Sequence, residues 1–246
     1  MRQRLQEKLL RAIYPATSVG NVSLDYQGNL FFNELYDYND SIIGAGGFGI
    51  VLAAIDKHTH TKVAIKILNI NEYIKTSTTE GSSFKVQRNL NFLRNEVTIA
   101  QEFSHPSIIS VKKVYQSRHH VLIVMDRAKC SLSDYLKKKG WKLQEEECMI
   151  IMKQVLEGLK YLHITNIVHR DMKPGNILLM ETKKLENSVR ISDFGVSAKL
   201  TDALPCELSD TAGTFLYKAP EQFNGELCTT VLLLSIISIL ISGLLA

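Results

Sequence analysis

The eight residues His169-Arg170-Asp171-Met172-Lys173-Pro174-Gly175-Asn176 place an imidazole, a carboxylate, two cations and a side-chain amide directly after the apolar pair Ile167-Val168. Pro174 and Gly175 break any helix or central strand here, so the polar groups belong to a loop. In a loop, one carboxylate can face a substrate hydroxyl while an amide further along faces a metal. Taken alone, such a window fits a solvated, charge-rich turn equally well. The reading narrows because Asp193-Phe194-Gly195 follows a strand-like run, Val189 to Ile191, and Ala219-Pro220-Glu221 closes the same region.

These three signals, in this order and spacing, resemble the catalytic loop, metal-binding loop and activation segment of the eukaryotic protein kinases. The resemblance implies an α+β, two-lobed protein kinase fold with an antiparallel-sheet N-lobe and a mainly helical C-lobe. It implies ATP and Mg2+ as cofactors and a protein with a Ser/Thr acceptor as substrate. On the same basis Asp171 accepts or orients the substrate hydroxyl, Lys173 steadies the transferring phosphoryl group, and Asn176 and Asp193 hold Mg2+. Lys173, with Thr214 in Gly213-Thr214-Phe215-Leu216-Tyr217-Lys218, is similar to the serine/threonine branch. The stretch from Asp193 to Glu221, with the long insert before Glu96, also looks like the calcium/calmodulin-dependent kinase kinases. The rival reading is a non-catalytic regulatory protein that binds nucleotide or a partner without transfer.

Gly44-Ala45-Gly46-Gly47-Phe48-Gly49 lies between Ile42-Ile43 and the run Ile50 to Ile55, a strand-turn-strand pattern. Glycine permits close backbone approach, so the N–H groups of such a hairpin can face phosphates. The spacing by itself also fits a dinucleotide loop or an ordinary hairpin. A dinucleotide loop would open a helix, whereas small and β-branched residues continue here as a strand and Val63-Ala64-Ile65-Lys66 supplies a third. The resemblance then implies that the glycine run covers the phosphates and that Val51 and Ala64 flank adenine, with Leu178 in the same nucleotide-binding set. It implies that Lys66 holds the α- and β-phosphates; otherwise Lys66 is a lysine snorkelling at a strand edge. Phe92, Leu93, Val97 and Ala100 recur at helical spacing, and Glu96 among them is the implied ion-pair partner of Lys66 or else a solvent-facing glutamate. The apolar strand Val121 to Met125 ends at Asp126-Arg127-Ala128, where the family joins its lobes and offers backbone groups to adenine. Met125 fits a gatekeeper and plain core packing equally.

With 246 residues, 45% hydrophobic and 22% charged, the chain can bury a sizeable core and is not a disordered composition. A net charge of +4 without a dense basic stripe argues against a nucleic-acid binder. Cys130, Cys148, Cys206 and Cys228 form no C-x-x-C pair, which fits reduced thiols in the cytoplasm and neither a disulfide framework nor a structural zinc site.

The expected organisation is a leader over 1–40 with a short amphipathic helix in Met1 to Ile13, then a kinase domain over 41–226 with lobes 41–126 and 127–226. Within it, Asn69 to Asn89 reads as a polar insert, and His105-Pro106-Ser107 as a turn. Ser131 caps a short helix through Lys139, and Gln144 to His163 forms a long amphipathic helix with Ile150, Ile151, Val155, Leu159 and Leu162 inward. Arg170 is expected to meet negative charge from Ser209, Asp210 or Thr211, with Asp210 supplying part of it permanently. The resemblance ends near Phe223, and the Asp-x-Trp-x-x-Gly helix of the family is not seen, so the C-lobe is expected to be incomplete. Instead 227–246 is uncharged and rich in Leu and Ile. At about 1.5 Å per helical residue it could just cross a core of about 30 Å, so it reads as a membrane anchor, as a truncated or frame-altered end, or as a substitute for the missing helix.

Overall fold

The computed structural model describes residues 35–46, 49–69, 102–116, 120–199 and 213–218. The readings on Met1 to Ile13, the insert after Asn69 (which itself ends β3), the helix carrying Glu96, Gly47, Phe48, residues 209–211, Ala219-Pro220-Glu221 and 227–246 lie outside them. The described residues fall into two units. One combines 35–69 with 110–127, and the other combines 102–109 with the residues from 128 onward.

The first unit is a five-stranded antiparallel sheet of β1 (Tyr36–Gly46), β2 (Gly49–Asp56), β3 (Lys62–Asn69), β4 (Val111–Gln116) and β5 (His120–Asp126), in the order β1-β2-β3-β5-β4. The strand begins at Tyr36, ahead of Ser41, where the sequence suggested only a loosely packed leader. Tyr36 is 2% exposed, and its hydroxyl lies 3.0 Å from that of Tyr115. An aromatic within a polar stretch therefore belongs to the core. One sheet face packs Tyr36, Leu52, Ala54, Val63, Ile65, Ile67, Tyr115, Leu122 and Val124 together. β2 and β3 are joined by a turn in which the Asp56 carboxylate accepts from the N–H groups of His58 and Thr59, at 2.9 and 3.0 Å. This is the local bonding that makes Asp a turn residue.

Among its described residues, the second unit has two α-helices of more than one turn. Ser131 caps α1 (Leu132–Lys138): its Oγ accepts from the Asp134 N–H at 3.1 Å, and Asp134 reaches back to the Ser131 N–H. This reciprocal pair satisfies two donors at the helix start. α1 ends in a left-handed turn, with Gly140 at φ 67° and Trp141 at φ 62°. There the Trp141 N–H bonds to the Leu136 carbonyl at 2.7 Å and the Gly140 N–H to that of Lys137 at 3.1 Å. Glycine adopts that conformation freely; for tryptophan it costs about 1–2 kcal/mol.

α2 (Glu145–Ile164) carries Glu145, Glu146 and Glu147 in its first turn and His163 in its last, matching the helix dipole. Ile151, Val155, Leu159 and Leu162 are buried as expected, whereas Ile150 is only half-buried. Short strands complete the unit: β6 (Cys130–Ser131), β8 (Ile177–Leu179) and β9 (Val189–Ile191) in one sheet, and β7 (Ile167–Val168) with β10 (Ala198–Lys199) in another. Gly158 lets α2 approach β9 closely, since a Cβ there would stand 2.8 Å from Ile191 Cδ1. Cys130 and Cys148 are free thiols. Among the described residues no helix is long and apolar enough to cross a membrane.

Candidate active site

In the second unit the loop after β7 is fixed from beneath. His169 is 1% exposed, and its Nε2 lies 2.9 Å from the Ser192 carbonyl, which assigns the proton to that nitrogen. Nδ1 then accepts from the Asp171 N–H at 3.3 Å. Burial pushes the His169 pKa down, so the ring stays neutral, as one donor and one acceptor require. The ring packs on Phe194 with centroids 5.2 Å apart, and Phe194 in turn meets Phe103 at 5.3 Å. Phe194 is 2% exposed and anchors the Asp-Phe-Gly turn. Ser192 donates its N–H and hydroxyl to the Asn176 carbonyl, at 2.9 and 3.0 Å, tying the two loops together one residue before Asp193. Asp193 is exposed, with φ 70°.

Around Asp171, Lys173, Asn176 and Thr214 come together. Lys173 Nζ lies 2.7 Å from Asp171 Oδ2 and 2.7 Å from the Thr214 hydroxyl. Thr214 donates its hydroxyl and its N–H to Asp171 Oδ1, at 2.7 and 2.8 Å. The Asn176 amide donates to the Asp171 backbone carbonyl at 2.7 Å and to Oδ2 at 2.9 Å. Burial alone would raise the Asp171 pKa, but the bonds from Lys173 and Thr214 outweigh it, so the carboxyl titrates below its usual range. The group is thus an oriented anion beside a cation. Gly213, at φ 93°, runs against the Arg170 carbonyl. Arg170 is buried and sends Nε to the Val196 carbonyl at 2.5 Å.

The donors fit Mg2+. Asn176 is 5% exposed. With its amide N–H groups given to Asp171, its Oδ1 meets no hydrogen-bond donor among the described residues. A buried amide oxygen without a donor among the described residues is a hard ligand of the kind this cation prefers, and Asp193, one residue after the Ser192 that bonds to Asn176, carries a second.

In the first unit, antiparallel register sets Val51 opposite Lys66, Ala53 opposite Ala64, Ala64 opposite Met125 and Lys66 opposite Ile123. Directly opposed residues share a face, so Val51, Ala64, Lys66 and Met125 line one side of the sheet, away from the core on its other side. Lys66 is half-buried, and Met125 packs partly against Leu68, Val114, Val121 and Ile123. Gly44 pairs with Val51, and Gly46 with Gly49, at the end of the β1-β2 hairpin; Ala45 pairs with Ile50 and is exposed. A Cβ on Gly49 would collide with the Ile67 carbonyl, so glycine is needed there for β2 to lie against β3. Asp126 pairs with Lys112 at 2.9 Å, and its N–H bonds to the Ser110 carbonyl. That N–H is therefore already engaged within the sheet unit. In the second unit, Ala128 and Leu178 are both half-buried. Glu96, Gly47 and Phe48 are not among the described residues.

Two contributors escaped the sequence reading. Ser192 supports both loops, and the buried Gln154 links α2 to β9 through bonds to the Leu185 carbonyl (2.9 Å) and from the Val189 N–H (3.1 Å). A polar residue on the apolar stripe of α2 was the available signal for Gln154.

Comparison with known proteins identifies the family. The protein kinase domain family matches residues 38–231, and the chain belongs to that family. It is 32% identical over 203 residues to calcium-dependent protein kinase 3 of Plasmodium yoelii yoelii, covering 82% of this chain and 34% of the relative. It is 37% identical over 185 residues to the SNF1-related protein kinase catalytic subunit alpha KIN12 of Arabidopsis thaliana, covering 75% and 34%. It is 34% identical over 183 residues to the serine/threonine-protein kinase pakG of Dictyostelium discoideum, covering 74% and 14%. One of these relatives is named as a serine/threonine-protein kinase. The chain spans about a third or less of the length of these relatives.

Proposed function

We propose that the chain transfers the γ-phosphoryl group of ATP to Ser/Thr hydroxyls of a protein substrate. The observation that carries this reading is the Asp171 carboxylate held by Lys173, Thr214 and Asn176 at 2.7–2.9 Å. Asp171 would receive and orient the acceptor hydroxyl, and Lys173 would offset negative charge on the group in transfer. Asn176 and Asp193 would hold Mg2+, which when bound neutralises phosphate charge. In the sheet unit, Lys66 would hold phosphates beside an adenine packed on Val51 and Ala64, with Glu96 as its partner. Met125, Asp126, Ala128 and Leu178 complete the proposed nucleotide contacts.

Transfer of radiolabelled phosphate from ATP to a generic Ser/Thr protein substrate tests the reading, with Asp193→Ala as control. Signal well above that control is expected. Nucleotide binding with no transfer above it would assign the chain to the non-catalytic class instead.

A further inference from the structure

Lys137-Lys138-Lys139-Gly140-Trp141-Lys142 closes α1, and all six residues are exposed. Trp141 is the single tryptophan of the chain and is 53% exposed, although large aromatic side chains are normally well buried. Its backbone holds the left-handed form described above, and its indole N–H has no partner among the described residues. Lys139 is taken by Glu147 at 3.0 Å, whereas Lys137, Lys138 and Lys142 make no ion pair among the described residues. The acids that follow, Glu145 and Glu146, sit in the first turn of α2, where the helix dipole favours them.

We propose that this corner makes a weak, reversible contact with the surface of an anionic lipid bilayer. An indole with an apolar body and a free N–H suits the headgroup level, and lysine stems can lie along the interface with their charges outward. All four cations are lysines. Recognition of a phosphopeptide or nucleic acid would favour the planar fork of arginine, which the segment lacks. No residue of the corner belongs to the proposed transfer site, so the inference stands or falls separately from it.

Emission from the lone tryptophan reports on position 141 alone. Adding vesicles of phosphatidylcholine with about one phosphatidylserine in three to the full chain should shift the emission to the blue, and added salt should reverse the shift. Phosphatidylcholine alone should leave it unchanged. Replacing Lys137, Lys138 and Lys142 by Gln should weaken vesicle co-sedimentation by about fivefold per lysine, and Trp141→Ala should weaken it further. Three results would overturn the proposal: no shift with anionic vesicles, an equal shift with soluble polyglutamate or single-stranded DNA, or sedimentation with vesicles while the emission stays fixed.

Discussion

Thr214 donates both its hydroxyl and its backbone N–H to one oxygen of Asp171, at 2.7 and 2.8 Å, which ties a residue 43 positions downstream to the loop after β7. Its hydroxyl also accepts from Lys173 at 2.7 Å. Lys173 and Thr214 are therefore bonded to each other and both to the Asp171 carboxylate.

Thr214→Ala removes a hydroxyl shared by two charged groups, each such bond being worth about 1.5–3 kcal/mol. Transfer should fall roughly ten- to a hundredfold, and Thr214→Ser should recover most of it. The Asp171 pKa is depressed in the folded protein, so its network contributes stability above the unfolded carboxylate value and loses it as pH falls through the folded one. Without Thr214 the pKa rises, and the acid limb of the rate profile moves to higher pH. A carboxyl-carbon NMR titration of Asp171 reads the same shift without activity. An unmoved titration would remove Thr214 from the network.

How far the sequence carried this site depended on whether a role was local. Pro174 and Gly175 marked the break after β7, where only a single 3-10 turn over Pro174–Asn176 forms, and Ser131 marked a helix start, whereas Val51, Ala64 and Lys66 took their expected roles from the family resemblance. The break and the helix start follow from neighbours a few residues apart. Tyr36 was misread as leader because its partner, Tyr115, is 79 residues away. Gly49 took its expected role from the resemblance alone, although β3 also requires a glycine there by filling the space a Cβ would take. Ser192 and Gln154 act through carbonyls and an amide brought close only by tertiary packing, which no local pattern announces.

Gln154 offers a clean test of such packing. Gln154→Leu keeps the volume but removes the bonds to the Leu185 carbonyl and from the Val189 N–H. The Leu185 carbonyl keeps the Ser188 N–H at 3.1 Å, so the Val189 N–H is the buried group left unpaired, and a loss of about 1–3 kcal/mol is expected in denaturant unfolding. Amide exchange at Val189 should accelerate with it. Unchanged stability would mean that water replaces the glutamine.

Glycine substitutions separate space from backbone conformation. Gly49→Ala forces a Cβ into the Ile67 carbonyl, and relieving that overlap should cost about 3 kcal/mol. Gly140→Ala meets open space and pays only for a left-handed alanine at φ 67°, about 1 kcal/mol. Parallel melts of the two variants should show Gly49→Ala as clearly the worse; equal losses would contradict the close approach of β2 to β3.

Glu181 carries the last expectation. Lys129 Nζ lies 2.5 Å from both of its carboxylate oxygens, and the N–H groups of Thr182 and Lys183 bond to one of them, at 2.8 and 3.2 Å. Together, with Lys129 the largest cause, they pull the Glu181 pKa from the usual 4.5 down to about 2. A depressed folded value means that the pair's contribution is present above about 4.5 and fades as pH falls toward 2. Lys129→Met should move the pKa up but short of the usual value, because the two backbone donors remain. The pair is exposed, so salt should raise the parent's pKa as well. NMR titration of the Glu181 carboxyl at low and high ionic strength checks both points. A Lys129→Met pKa still at about 2 would assign the shift to the turn's backbone alone.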